Sequence, residues 1–156
     1  MADDEIVLTQ AKYQELEIEL LRLQTTERRV IAERISTARS LGDLRENFDY
    51  HDAKRQQGLL ESKIINLKRI LDRGRIVDYL PGGDAVQLGS RVKVHDEEFD
   101  EDIEYQIVGV MEADPATDKI SNTSPVGKAL LGQKVGDKVE VQTPAGVAIY
   151  EIIELS

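Results

Sequence analysis

Apolar side chains recur three and four positions apart at Tyr13, Leu16, Leu20 and Leu23, and after Glu27 the row slips by one position to Val30, Ile31 and Ile35. A second row, Leu60, Ile64, Leu67 and Leu71, keeps the same step, with Ala53 and Tyr50 on its upstream extension. This spacing lays one apolar stripe along each of two helices. No proline interrupts either stretch, from Thr9 to about Leu41 and from about Leu44 to Val77. The connector is too short for anything but an antiparallel return, so the pattern predicts a coiled-coil hairpin over residues 1–78. Arms of about 30 residues would be on the order of 45 Å long at 1.5 Å per residue, which suits a device for reaching.

The period then changes to two. Arg75 to Gly83 contains Pro81-Gly82-Gly83, a breaker cluster that predicts the domain boundary. Beyond it, Arg91–Val94, Tyr105–Val108, Lys138–Val141 and Ala148–Ile152 alternate apolar and polar positions, as strands of a mostly antiparallel sheet do. Between them Ser124 is placed to cap a short helix that opens on Pro125 and ends before Gly132. The expected fold class is α+β in two domains, the hairpin over 1–78 followed by a small globule over 79–156.

Charge sharpens this division. Residues 1–78 carry 14 basic and 15 acidic side chains, whereas residues 79–156 carry 6 and 15. The net charge of −10, with 4% aromatic residues and no Trp, argues against indiscriminate nucleic-acid binding and against a stacking platform for single strands. The chain lacks cysteine, which excludes disulfides and zinc-thiolate sites and fits a reducing compartment. The acidic start, Met1-Ala2-Asp3-Asp4-Glu5, does not resemble a signal peptide, and no apolar run approaches the roughly 20 residues of a membrane span. A soluble cytoplasmic protein is expected, without a membrane partner. The run Asp96-Glu97-Glu98-Phe99-Asp100-Glu101-Asp102 lacks the glycine and ligand spacing of a calcium loop and reads as a solvated strand connection.

The candidate chemistry lies in Leu41-Gly42-Asp43-Leu44-Arg45-Glu46-Asn47, at the tip of the hairpin. If helix starts there, Asp43 and Glu46 share one face and project beyond the rod. The same pair reads as a capping box, in which Asp43 accepts from a free backbone N–H and Glu46 reaches back to the cap residue. The two roles compete, because a carboxylate turned inward to cap cannot fully ligate an ion. Below the tip, Arg28, Arg29, Arg34, Arg39, Arg45, Lys54 and Arg55 gather on the two arms. Antiparallel pairing about Gly42 brings the level of Arg29 and Arg34 beside that of Lys54 and Arg55, as a patch able to hold phosphates or as a solvated face paired with Glu27, Glu33, Asp49 and Asp52.

Gly42-Asp43-Leu44-Arg45-Glu46-Asn47, followed by Asp49-Tyr50-His51, Ala53-Lys54 and Gln56-Gln57-Gly58, closely resembles the tip and second arm of bacterial Gre transcript cleavage factors, the GreA type in particular. Ile120-Ser121, Ser124-Pro125-Val126-Gly127-Lys128-Ala129-Leu130-Leu131-Gly132 and Gly136-Asp137-Lys138-Val139 are similar to that family's second signature, so the resemblance covers essentially the whole chain. It implies an FKBP-like globule that grips the rim of the RNA polymerase secondary channel, through Ser121, Ser124, Pro125 and Lys128, while the hairpin enters the channel. It further implies that Asp43 and Glu46 are the catalytic acids, holding a weakly bound second Mg²⁺ in the polymerase active centre so that backtracked RNA is cut. The nascent RNA 3′ end would be contacted by a basic patch of Arg34, Lys54 and Arg55.

On this reading the chain is a monomeric transcription elongation factor with DNA-binding and cytoplasmic character, and not itself an enzyme. The alternatives are an anti-cleavage channel blocker of the same architecture, whose tip would be expected to lose the Asp43/Glu46 pattern or to pack in additional acids, and a prolyl isomerase with a coiled-coil handle. Where the family usually has a small residue and Glu after the Asn, this chain has Phe48 and Asp49. Phe48 is expected to pack as a staple at the helix start, or else to form an apolar contact with the polymerase.

Overall fold

A computed structural model describes residues 5–80 and 82–156; the acidic start before Glu5 and the expected breaker Pro81 lie outside the described residues. The chain divides into two compact units, Tyr13–Gly74 and, together, Met1–Lys12 with Arg75–Ser156.

The unit Tyr13–Gly74 is the helical hairpin. Its first arm runs through α1 (Gln10–Arg22), a π-helical stretch (Leu23–Glu27) and α2 (Arg28–Arg39), and its second arm is the continuous α3 (Phe48–Arg73). The slip in the apolar row has its physical counterpart in the π stretch. There Arg28 N–H bonds the carbonyl of Leu23, five residues back, and Thr25 Oγ1 donates to Leu21 O at 2.8 Å. A wider turn takes up one extra residue, so the buried row passes from Leu16 and Leu23 to Ile31, Ile35 and Ala38 without leaving the partner arm. Val30, expected in the row, is exposed. On α3 the buried positions are Ala53, Leu60, Ile64 and Ile70; Leu67 and Leu71 are only partly buried. Leu23, Ile31, Ile35, Ala53, Leu60 and Ile64 form one cluster, with Tyr50 packed at its edge. Each fully buried Leu or Ile contributes about 1.5–3 kcal/mol, so this seam is the main force holding the arms together.

The other unit is built on a five-stranded sheet. Its strands are β3 (Arg91–Asp96), β4 (Glu101–Val108), β5 (Lys119–Ser121), β6 (Lys138–Thr143) and β7 (Gly146–Leu155), in the order β5-β4-β3-β7-β6. All pairings are antiparallel except β4 with β5. Alternation on β3 and β6 buries Val92, Val94, Val139 and Val141, which join Ile107, Tyr150, Ile152 and Leu130 of α4 (Pro125–Leu130) in one core. The acidic run is mostly an exposed turn, as expected, but Asp96 is buried. Its Oδ1 accepts from the backbone N–H of Glu98 at 2.9 Å and so shapes the hairpin turn between β3 and β4.

The boundary differs from the expected cut between 78 and 79. A short strand, β1 (Ile6–Leu8), pairs with β2 (Gly74–Ile76) and belongs with the sheet unit. Leu8 is fully buried, and Thr9 N–H donates to Glu112 Oε1 at 3.0 Å. The carbonyl of Val7 lies where a Cβ on Gly109 would come within 2.2 Å, so only glycine allows this approach. The sequence shows three apolar residues here, too few for the alternation test to separate a strand from the lead into a helix.

Candidate functional site at the hairpin tip

The first arm ends at Arg39, with Ser40 as its cap, and the second begins at Phe48. Helix therefore does not start at Asp43. The N-cap of α3 is Asn47, whose Oδ1 accepts from Tyr50 N at 3.0 Å, while its Nδ2 donates to the carbonyl of Ala38 across the turn. One amide thus satisfies a free donor at the start of α3 and adds a second bond to the Ala38 carbonyl, which also accepts from Leu41 N–H at 3.1 Å.

This relieves the two acids of capping. Asp43 Oδ1 accepts from Arg45 N–H at 3.0 Å, an Asx-type turn that follows Gly42, whose φ of +134° resists any side chain. Glu46 makes no hydrogen bond or ion pair among the described residues. Both side chains are exposed, and both line one shallow depression of about 350 Å³ together with Leu41, Asn47, Phe48 and Asp49. The capping-box reading is overturned: Asn47 is the cap, and Asp43 and Glu46 are exposed in the wall of one depression. Among the described residues no group of three or more His, Cys, Asp or Glu side chains could hold a metal ion.

Phe48 does not staple the helix. Its ring is 78% exposed on the rim of the depression and Leu41 is 66% exposed nearby. A phenyl ring left in water forgoes about 1.5–3 kcal/mol of burial.

The basic residues divide. Arg34 Nη2 and Arg55 Nη2 reach the two oxygens of one carboxylate, Asp52, at 2.9 and 2.8 Å, and Arg34 Nη1 also bonds Gln56. The Arg55 hydrogen bond, then that of Arg34, holds the Asp52 carboxyl below the usual carboxylate range. Lys54 instead bonds Gln57 Oε1 at 2.9 Å. Two residues of helix turn by about 200°, so Lys54 and Asp52 occupy opposite flanks of α3. The expected three-residue patch is therefore a pair, Arg34 with Arg55, and a separate lysine. Arg28 grips Glu61 at 2.9 Å, and Arg39 lies 5.9 Å from the centre of the Tyr50 ring.

In the sheet unit, Ser121 is buried, its hydroxyl hydrogen-bonded to that of Thr123 at 2.7 Å. Ser124 caps α4, its Oγ accepting from Gly127 N at 3.1 Å and donating to Ser121 O at 2.6 Å. Both hydroxyls are thus committed to the fold. Pro125 and Lys128 are exposed.

Two family descriptions match these two parts. "Transcription elongation factor, N-terminal" matches residues 6–76, and "Transcription elongation factor, GreA/GreB, C-term" matches residues 81–156. The chain belongs to the GreA/GreB transcription elongation factor family. It is 50% identical over 152 residues to transcription elongation factor GreA of Acetivibrio thermocellus, covering 97% of this chain and 96% of that one. It is 51% identical over 157 residues to the GreA of Alkaliphilus oremlandii, covering 100% and 99%. Among solved structures, GreA factor homolog 1 (Gfh1) of Thermus thermophilus is 31% identical, with 97% of this chain and 99% of that one covered and a TM-score of 0.44. No helix among the described residues is long and apolar enough to cross a membrane.

The family membership gives the tip its interest, and two of its residues were not legible as functional beforehand. For Asn47 the signal in the sequence is that Asn, like Asp, is a preferred cap and directly precedes the uninterrupted helix. For Asp52 the sequence shows only one of several neutralising charges, and its place between two arginines depends on the pairing of the arms.

Proposed function

We propose that the chain rescues arrested transcription by stimulating the Mg²⁺-dependent cleavage of backtracked RNA by RNA polymerase, without being a nuclease itself. The hairpin tip would enter the secondary channel, and the sheet unit would dock at the rim through the exposed Pro125 and Lys128. The observation that carries this reading is that Asp43 and Glu46 share one solvent-facing depression, while Asn47 performs the capping that would otherwise turn them inward.

The donor set suits the implied ion. Magnesium is commonly held by one or two carboxylates plus substrate phosphate oxygens rather than by a full protein cage. When bound, it would polarise the scissile phosphodiester and make an attacking water more acidic. Asp43 would offer Oδ2, since Oδ1 is engaged by Arg45 N–H, and Glu46 would offer either oxygen. The Asx turn holds Asp43 in place, and the Asn47 brace fixes the turn to both arms. Arg34 and Arg55 would meet the phosphates of the extruded RNA, exchanging Asp52 for phosphate oxygens, with Lys54 acting separately. Cytoplasmic location and a monomeric state accord with this role.

The test is single-turnover cleavage in purified backtracked complexes at limiting Mg²⁺. Asp43→Asn keeps an oxygen for the Arg45 bond and Glu46→Gln keeps the length of the side chain, so both should melt near the parent. Each should lose most of the stimulation and recover part of it at raised Mg²⁺. Full cleavage by both at limiting Mg²⁺ would refute the reading.

A further inference from the structure

Phe48 stands unpartnered beside the acids, and its surroundings restrict what can cover it. The ring is 78% exposed as the first residue of α3, where the Asn47 cap and its bond to Ala38 hold the backbone. Its neighbours around the depression are Asp43, Glu46 and Asp49, together with Leu41 and Asn47. Three carboxylates repel a second anion, so a phosphate does not seat on this ring without cations. They do not repel a group that is apolar on its faces and carries N–H donors along its edge. An unstacked nucleobase has that chemistry: its π face suits the phenyl ring, and its amino edge donates to carboxylate oxygens.

We propose that Phe48 is a positioning residue that stacks an unpaired base of the backtracked transcript, while Asp49 accepts from the exocyclic amine of that base. The inference rests on the cleavage role proposed above and specifies what the tip reads. Stacking on a planar ring tolerates every base, whereas the carboxylate contact favours cytosine, adenine and guanine over uracil, which presents two carbonyl oxygens and no amine.

The experiment uses the full-length chain with RNA polymerase in backtracked complexes whose extruded RNA differs only in one nucleotide near the 3′ end, either normal or abasic. Phe48→Leu keeps an apolar side chain without a ring; Phe48→Tyr keeps the ring. With normal bases, Phe48→Leu should slow cleavage at subsaturating factor by about 5-fold or more, the scale of one lost base stack. Phe48→Tyr should stay near the parent. With the abasic transcript, parent and Phe48→Leu should cleave at the same reduced rate, because the partner of the ring is gone. Uracil should be the poorest of the four bases for the parent.

An equal defect of Phe48→Leu on normal and abasic RNA, with weaker binding to the polymerase, would assign the ring to an apolar protein surface and overturn the proposal. Phe48→Leu matching the parent on every transcript would overturn it too, leaving the roles of Asp43 and Glu46 intact. No stimulation by the parent chain at all would overturn both readings together.

Discussion

Asn47 at the start of the second arm donates from its side-chain amide to the carbonyl of Ala38, the last buried residue of the first arm. The same amide caps α3 through Oδ1. The geometry of the tip thus depends on a residue that carries no charge and stands in the wall of the depression between Glu46 and Phe48.

Replacing Asn47 by Ala should remove both bonds. The loss of the cap alone costs about 1 kcal/mol, and the lost bond across the turn adds to it, although Leu41 N–H still donates to the Ala38 carbonyl. Asn47→Asp restores the acceptor but not the donor, so it should recover the cap and not the brace. Thermal melts followed by circular dichroism would order the three proteins as parent, Asp, Ala. Equal melting of all three would show that the brace contributes nothing.

Gly127 is packed against the loop before α4, where a Cβ would come within 2.0 Å of the Ser121 carbonyl oxygen. That oxygen also accepts from Ser124 Oγ and from Ser124 N, so it cannot move without breaking the cap of α4. Gly127→Ala should therefore destabilise the sheet unit by about 3 kcal/mol, the upper range for overpacking a tight site. Denaturant melts reporting the sheet unit would measure it. Gly132→Ala meets no atom within 4 Å but must hold φ at +81°, and is expected to cost less, about 1 kcal/mol.

His95 on β3 is clamped by carboxylates, with Nδ1 2.8 Å from Asp102 Oδ1 and Nε2 3.1 Å from Asp100 Oδ1, and with Glu151 as its neighbour across β7. The Asp102 hydrogen bond, followed by the charges of Asp102 and Asp100, raises its pKa above the ordinary 6.5. A raised folded-state pKa gives stabilisation that is fully present below the unfolded value and is lost as pH rises through the folded one. Between about pH 5.5 and 8, where carboxylates stay ionised, the sheet unit should melt progressively lower as pH rises. His95→Gln should flatten that dependence. An imidazole titration by NMR that reports a value at or below 6.5 would contradict the clamp.

Much of this was written in the order of residues. The two apolar rows and the change of period gave the hairpin and the sheet, because burial of one face imposes its periodicity on any sequence that folds this way. The one-residue slip after Glu27 marked a break in the row, and the structure supplied its form, a π-helical turn. The motif at the tip located the two acids and the family.

Tertiary structure decided what local pattern left degenerate. Asp43-x-x-Glu46 and Asn47 were both legitimate helix starts, differing by about 1 kcal/mol or less as caps; the Ala38 carbonyl, nine residues upstream and brought near only by the antiparallel return, chose Asn47. Arg34 and Arg55 met on Asp52 rather than beside Lys54 because helical phase and inter-arm register, not sequence distance, set which side chains share a flank. Ile6–Leu8 paired with Gly74–Ile76 because strand pairing is satisfied by any partner that supplies free backbone groups, and three residues carry too little periodicity to name theirs.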